Sequence, residues 1–399
     1  MQTFSNPFRP GAGHMPPYLA GREQERDEFE RLLQQDIVLE NLILTGLRGV
    51  GKTVLLETFK PLAMKRNWLW VGTDLSESSS LTEERIAIRL LTDLSVVTSS
   101  FEAKIERTPF GLAKEADPET VNFGFNFLMS LFNQTPGLVS DKLKAVLIRV
   151  AEFVGPHSKG LIFAYDEAQV MADHSDVNEF PMSLLLDVFQ SIQKQNIPFM
   201  LALTGLPTLF PKLEEARTYA ERMFRVVQLE KLNAGDSREA VTKPIETAAC
   251  PVHLTDESIN LIVEVSGGYP YFIQFICREV YDVFVQRTSD DAPRSVPMEA
   301  IIRKLDSDFF AGRWARVTDR QRELMIVIAH LETCEEFTVQ EVAELSKTIL
   351  EKGIGSSQVN QMLSTLGSAG LIYKNRHGRY SFAVPLMERF IRRQISTTS

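Results

Sequence analysis

The residues most suited to chemistry lie at positions 46–53, Gly-Leu-Arg-Gly-Val-Gly-Lys-Thr. This run fits the pattern GxxxxGK[ST] and sits between an apolar stretch and a helical one, the context that motif requires. Gly46, Gly49 and Gly51 let the backbone close around a phosphate without Cβ clashes. The loop N–H groups and the start of the next helix then face the anion. Lys52 has the reach for the β/γ-phosphates, and the Thr53 hydroxyl suits Mg²⁺. Leu47, Arg48, Val50 and Val54 complete the stretch expected to cradle the nucleotide.

A second element should bring an acid to the metal. Residues 161–167, Leu-Ile-Phe-Ala-Tyr-Asp-Glu, form an apolar run ending in two carboxylates. Asp166 is placed to hold Mg²⁺, and Glu167 to act as general base on an attacking water. A third apolar run, 199–203, ends at Thr204, whose hydroxyl could sense a phosphate or orient that water; alternatively it closes the strand on backbone. The segment 216–224 carries Arg217 and Arg222, with Arg225 just after it. An arginine here could stabilise transition-state charge at a neighbouring subunit's site, and Arg222 is preferred. The alternative is a set of salt-bridged surface arginines.

These groups need a scaffold, and the hydropathy pattern supplies one. Apolar runs at 41–45, 68–71, 160–165 and 199–203 alternate with helical patterns near 22–35, 81–97, 141–153 and 183–194. Strands alternating with helices predict a parallel sheet covered on both faces. Residues 1–20 read as an irregular lead-in. Residues 101–140, with Phe101, Phe110, Phe123, Phe125 and Phe127, read as an insertion packing its own aromatics, with a hairpin as one form and partner docking as another. After about residue 233 the pattern is helical, with a polar linker at 288–297. The expected division is a lead-in (1–20), a nucleotide-binding α/β core (21–232), a helical lid and linker (233–312) and a C-terminal domain (313–399).

That last domain reads as three helices, at 318–330, 338–345 and 356–366, then a hairpin around residues 376–379 and a final helix. The pattern predicts a winged helix-turn-helix. Its third helix exposes Ser356, Ser357, Gln358, Asn360, Gln361, Ser364 and Thr365, none of them basic. Lys374, Arg376 and Arg379 on the hairpin and Arg389, Arg392 and Arg393 on the final helix are candidate phosphate contacts. From residue 313 onward there are twelve Lys/Arg against nine Asp/Glu, whereas the whole 399-residue chain carries −9. A slightly basic tail on an acidic body allows DNA binding but limits the counterion-release contribution. Binding of a protein partner is the other reading. No run approaches 18 apolar residues, which argues against a membrane span. Three scattered cysteines, Cys250, Cys277 and Cys334, argue against a disulfide framework and for a cytoplasmic protein.

Taken in order, 21–23 (Gly-Arg-Glu), 46–53, 163–167 (Phe-Ala-Tyr-Asp-Glu), Thr204 and 266–270 (Ser-Gly-Gly-Tyr-Pro) resemble AAA+ ATPases of the origin-recognition/STAND-like branch. Residues 6–13, 216–224, 267–274 and 370–393 extend the similarity to a group of prokaryotic AAA ATPases over nearly the full length. The resemblance implies ATP and Mg²⁺ as cofactors, Arg22 near the adenine, and Pro270 on a lid against the base. It also implies a homo-oligomer with shared sites. The lid turn lacks the arginine many relatives place there, which favours a STAND-like switch. The expected function is a hydrolysing ATPase that couples nucleotide state to DNA binding or assembly. The alternative is a slow scaffold switch whose C-terminal domain holds protein.

Overall fold

The computed structural model describes residues 5–11, 13–105, 119–248, 254–286, 296–332, 335–376 and 378–398. Phe110, Cys250, Cys334 and most of the expected linker fall outside them. In chain order the strands are β1 (Asn41–Gly46), β2 (Trp68–Val71), β3 (Glu102–Ile105), β4 (Glu119–Asn122), β5 (Gly160–Tyr165), β6 (Phe199–Gly205), β7 (Phe224–Leu229), β8 (Ile372–Arg376) and β9 (Arg379–Phe382). The chain divides into two compact units.

The first unit, residues 23–45 and 55–228, is built on the sheet. Its strand order is β2-β5-β6-β1-β7. β2 pairs parallel with β5, β5 with β6, and β6 with β1. β1, β5 and β6 are buried along their whole length, which is why Leu42–Leu44, Leu161–Tyr165 and Phe199–Leu203 are apolar. Helices Glu83–Thr98, Val139–Val154 and Pro181–Gln193 pack Leu90, Leu147 and Phe189 into the same core as Ile43, Phe163 and Leu201. Within the 101–140 stretch, β3 and β4 pair antiparallel and the helix Phe125–Gln134 follows. Phe123 packs on Phe127 and Phe153 at 4.6 and 4.1 Å. The strand β7 was not expected. It buries Phe224, Val227 and Leu229 and exposes Arg225, Val226 and Gln228.

The second unit holds residues 1–22, 46–54 and 229–399. Helices Ala234–Thr247, Asp256–Ser266 and Pro270–Gln286 share one hydrophobic cluster with the C-terminal elements, from Phe8 through Ile276 and Leu324 to Ile391. A row of rings joins them: Tyr271 on Phe309 at 5.2 Å, Phe309 on Phe310 at 4.9 Å, and Phe310 stacked on Phe390 at 5.2 Å. Met298–Leu305, a π-helical stretch Asp306–Ala311 and Gly312–Ala315 form a continuous helical run.

After it come helices Asp319–Ala329, Val339–Ile349 and Ser356–Ser368, the antiparallel pair β8–β9 and the helix Met387–Thr398. Thr318 and Thr338 each open a capping box, with Gln321 and Glu341 as the reciprocal partners. The exposed side of Ser356–Ser368 carries the neutral residues named above. The tail arginines are engaged within the chain. Arg389 donates to the Glu264 carbonyl at 2.9 Å, Arg392 to Ala329 at 2.8 Å, and Arg393 forks onto Asp306 at 2.9 and 2.5 Å.

Candidate functional site

The chain leaves β1 at Gly46 and enters the phosphate loop, which belongs to the helical unit. Gly49 and Gly51 take φ of 78° and 94°, a region open to glycine without Cβ strain. The helix Lys52–Lys65 starts at the lysine itself. Lys52 is buried, and its Nζ donates to the Gly46 and Leu47 carbonyls at 2.9 and 3.0 Å. Arg22 is also buried and donates to the carbonyls of Val50 at 3.0 Å and Glu230 at 2.8 Å. It thus braces the loop from the lead-in side. Pro270 is the first residue of its helix, where its missing N–H costs nothing. The next N–H, of Tyr271, donates to Gly49 at 3.1 Å. One unpaired donor of that helix start is therefore satisfied by the phosphate loop. Gly46–Val54, Arg22 and Pro270 are accordingly gathered in one unit. Thr53 lies on the first turn after the loop, and the Arg48 side chain turns towards Gly370.

The acids are gathered in the sheet unit. β5 ends next to Asp166 and β6 ends with Thr204-Gly205, and the two strands are hydrogen-bonded neighbours. Thr204 is fully buried and donates its hydroxyl to Asp166 Oδ1. The Glu167 N–H donates to the same oxygen at 2.7 Å. Glu167 sits at φ 53°, ψ 30°, a left-handed conformation uncommon for a non-glycine residue and concentrated at functional sites. That turn leaves its side chain exposed while Asp166 stays buried. Gln169 links the acid to β6: its Nε2 donates to Glu167, and its Oε1 accepts from the Leu206 N–H at 3.0 Å.

Sequence reasoning missed two contributors here. Asp74, just past β2, bridges to Asp166 through backbone. Burial raises its carboxyl pKa, and the charges of Asp166 and Glu167 raise it further. Gly72 permits this approach, because a Cβ there would lie 1.7 Å from the Ala164 carbonyl oxygen. The available signal was a lone Gly-Thr-Asp after an aromatic strand. Among the described residues no cluster of His, Cys, Asp and Glu could hold a metal by itself. Crowded carboxylates still attract a cation, and Mg²⁺ usually takes one or two carboxylates and completes its shell with water and phosphate.

The other omission is the network that holds the arginine segment. Arg217 forks onto Asp187 at 2.9 and 2.6 Å and reaches Ser183 at 2.7 Å. Tyr219 donates to Asp187 at 2.6 Å. Burial pushes the Asp187 carboxyl up. The Arg217 and Tyr219 hydrogen bonds and Arg217's charge outweigh it, so the net pKa is lowered. Arg225 pairs with Glu28 at 3.1 Å. Arg222 lies on the single turn Ala220–Met223, is exposed, and makes no ion pair among the described residues.

A family model described as an AAA ATPase domain matches residues 18–219, just over half of the chain. The chain belongs to this AAA ATPase family. A second model, for a domain of unknown function, matches residues 307–391. No curated protein matches. Among solved structures, the chain is similar to a Walker-type ATPase of Pyrococcus abyssi, with a TM-score of 0.59 at 16% identity, covering 94% of this chain and 96% of that one. It is also similar to the ORC2 protein of Aeropyrum pernix, in a structure described as ADPNP–ADP complexes. That match has a TM-score of 0.56 at 14% identity and covers 98% of both chains. At such identities the likeness establishes the fold: a P-loop AAA+ sheet followed by a C-terminal helical region. Among the described residues no helix is long and apolar enough to cross a membrane.

Proposed function

We propose that this AAA ATPase is a Mg²⁺-dependent, ATP-hydrolysing switch that couples nucleotide state to DNA binding or to assembly of a homo-oligomer. Bound Mg²⁺-ATP would supply the reactive phosphoanhydride and neutralise its charge. The residues 46–54 bind its phosphates, with Lys52 exchanging the carbonyls of Gly46 and Leu47 for phosphate oxygen. Arg22 and Pro270 border the base. Thr53 and Asp166 hold the metal. Thr204 orients Asp166 through its hydroxyl, and Glu167 accepts a proton from the attacking water. Arg222 acts on a neighbouring subunit's site, held in position by the Arg217–Asp187 fork.

The observation that supports hydrolysis is the division of labour between the two adjacent carboxylates. Asp166 is buried and receives the Thr204 and Glu167 N–H donors, while Glu167 is turned outward on a left-handed residue. A nucleotide-binding site without turnover has no need of the second acid in that posture. The domain limits 1–20, 21–232, 233–312 and 313–399 belong to the same reading, as does a winged helix in the last of them.

The deciding experiment is steady-state ATP hydrolysis with and without duplex DNA, with Lys52→Ala as the blank. Stimulation by DNA supports a DNA-coupled switch. Turnover indifferent to DNA moves the C-terminal domain to a protein-partner role. Two observations favour that second reading: the neutral exposed side of Ser356–Ser368, and the internal engagement of Arg389, Arg392 and Arg393.

A further inference from the structure

The helical unit contains a cavity of about 490 Å³ into which three arginines converge: Arg48 of the phosphate loop, Arg313 and Arg316. Phe309 and Gly370 also line it, and Asp308 is the single carboxylate there. Three like charges facing one space with one opposing charge is a costly arrangement. Burial lowers the Arg313 guanidinium pKa, and the neighbouring charges of Arg48 and Arg316 lower it further.

The surrounding chain does little to offset this. Arg48 has no hydrogen bond or ion pair among the described residues, and its Nε is buried without a partner. Arg313 donates to the Phe309 carbonyl and lies over the Phe309 ring at 4.2 Å from the centroid. Arg316 is exposed and makes no ion pair among the described residues. Nearby arginines of the same unit behave differently. Arg320 pairs with Glu323, Arg322 with Asp319 and Arg393 with Asp306.

The backbone contributes as well. The π-helical stretch Asp306–Ala311 carries Asp308 and Phe309 to the cavity and sets the phase of Arg313. Such stretches are rare and are found frequently at functional sites. Gly370, at φ 67°, admits the loop arginine, since a Cβ there would lie 3.2 Å from an Arg48 guanidinium nitrogen.

We propose that this cavity is a second anion site, which takes a phosphate-bearing ligand on Arg48, Arg313 and Arg316. Guanidinium forks match phosphate oxygens two at a time. The volume lies within the range of small-molecule sites. The phosphate comes from one of two sources, a free polyphosphate or the backbone of duplex DNA. Because Arg48 belongs to the nucleotide loop, an anion held here ties that loop to the segment around Gly370.

The test uses the full chain saturated with a non-hydrolysable ATP analogue and Mg²⁺, so that the phosphate loop is filled. Calorimetric titration with pyrophosphate is one arm and with a short DNA duplex the other. Pyrophosphate binding without duplex binding identifies a free polyphosphate. Duplex binding that pyrophosphate displaces identifies the nucleic-acid backbone. In either case Arg313→Gln and Arg316→Gln each weaken binding about tenfold, and Asp308→Asn tightens it. Arg316 is exposed, so its variant tests the site without a folding risk. Absence of binding in both arms overturns the proposal. So does affinity unchanged by both arginine substitutions.

Discussion

Replacing Glu167 by Gln isolates the step assigned to that carboxylate. The side chain is exposed and accepts one hydrogen bond, from Gln169, which the amide oxygen of Gln can also accept. The left-handed backbone at 167 treats Glu and Gln alike, so folding stability should stay within about 0.5 kcal/mol. The Thr204–Asp166 contact is untouched, so metal and nucleotide binding should survive. Losing a general base costs roughly 10²–10⁴ in rate, or about 3–5 kcal/mol of barrier. Removing one negative charge beside Asp74 and Asp166 should also favour the anionic nucleotide. The expected phenotype is therefore tight ATP binding with hydrolysis lowered at least a hundredfold. Nucleotide affinity by equilibrium titration and single-turnover phosphate release together measure it. Wild-type release by Glu167→Gln would refute the assignment of the base. Loss of ATP binding in that variant would refute the separation of roles between Glu167 and Asp166.

Three further outcomes follow from the charges. Asp74 has a folded-state pKa raised above the ordinary value near 3.9, so stability falls as pH rises through that interval and the full penalty applies above it. Nucleotide-free Asp74→Asn should thus melt higher than wild type at pH 7, with the difference closing below about pH 4; an equal or lower melting temperature at pH 7 would contradict the crowding of acids there. Asp187 shifts the other way, so its contribution is present above about pH 4 and is lost as pH falls through its lowered value. Arg217→Ala should cost about 1 kcal/mol of stability, a figure discounted for the exposure of the pair, and should reduce turnover while leaving ATP affinity intact. Unaltered turnover would detach Arg222 from this network.

What was legible in the sequence is what burial on both faces enforces. β5 and the middles of β1 and β6 are apolar runs buried on both faces, so Gly46, Asp166 and Thr204 at their ends are legible from the pattern alone. β7 was hidden because one face is open: Arg225 and Gln228 interrupt the apolar run, and the single turn Ala220–Met223 precedes it without a boundary signal. The helix Phe125–Gln134 was lost among phenylalanines that suit either a strand or a helix. Partners distant in sequence were harder still. Nothing in the local pattern at Arg217 announces Asp187. The tail arginines have the composition of a phosphate-binding face, yet Glu264, Ala329 and Asp306, all distant in sequence, engage them.

The same long-range packing bears on how a nucleotide could be felt beyond its own loop. Reading by segments separates a lid from a C-terminal domain, yet their apolar residues form one cluster. Tyr271 joins the two scales of structure: its N–H is bonded to Gly49, and its ring packs on Phe309. From there the contacts run through Phe310 to Phe390 on the last helix. Close-packed rings resist gradual deformation and shift between discrete arrangements. The phosphate loop and the last helix are therefore linked by one unbroken row of contacts, Gly49 to Tyr271, Phe309, Phe310 and Phe390.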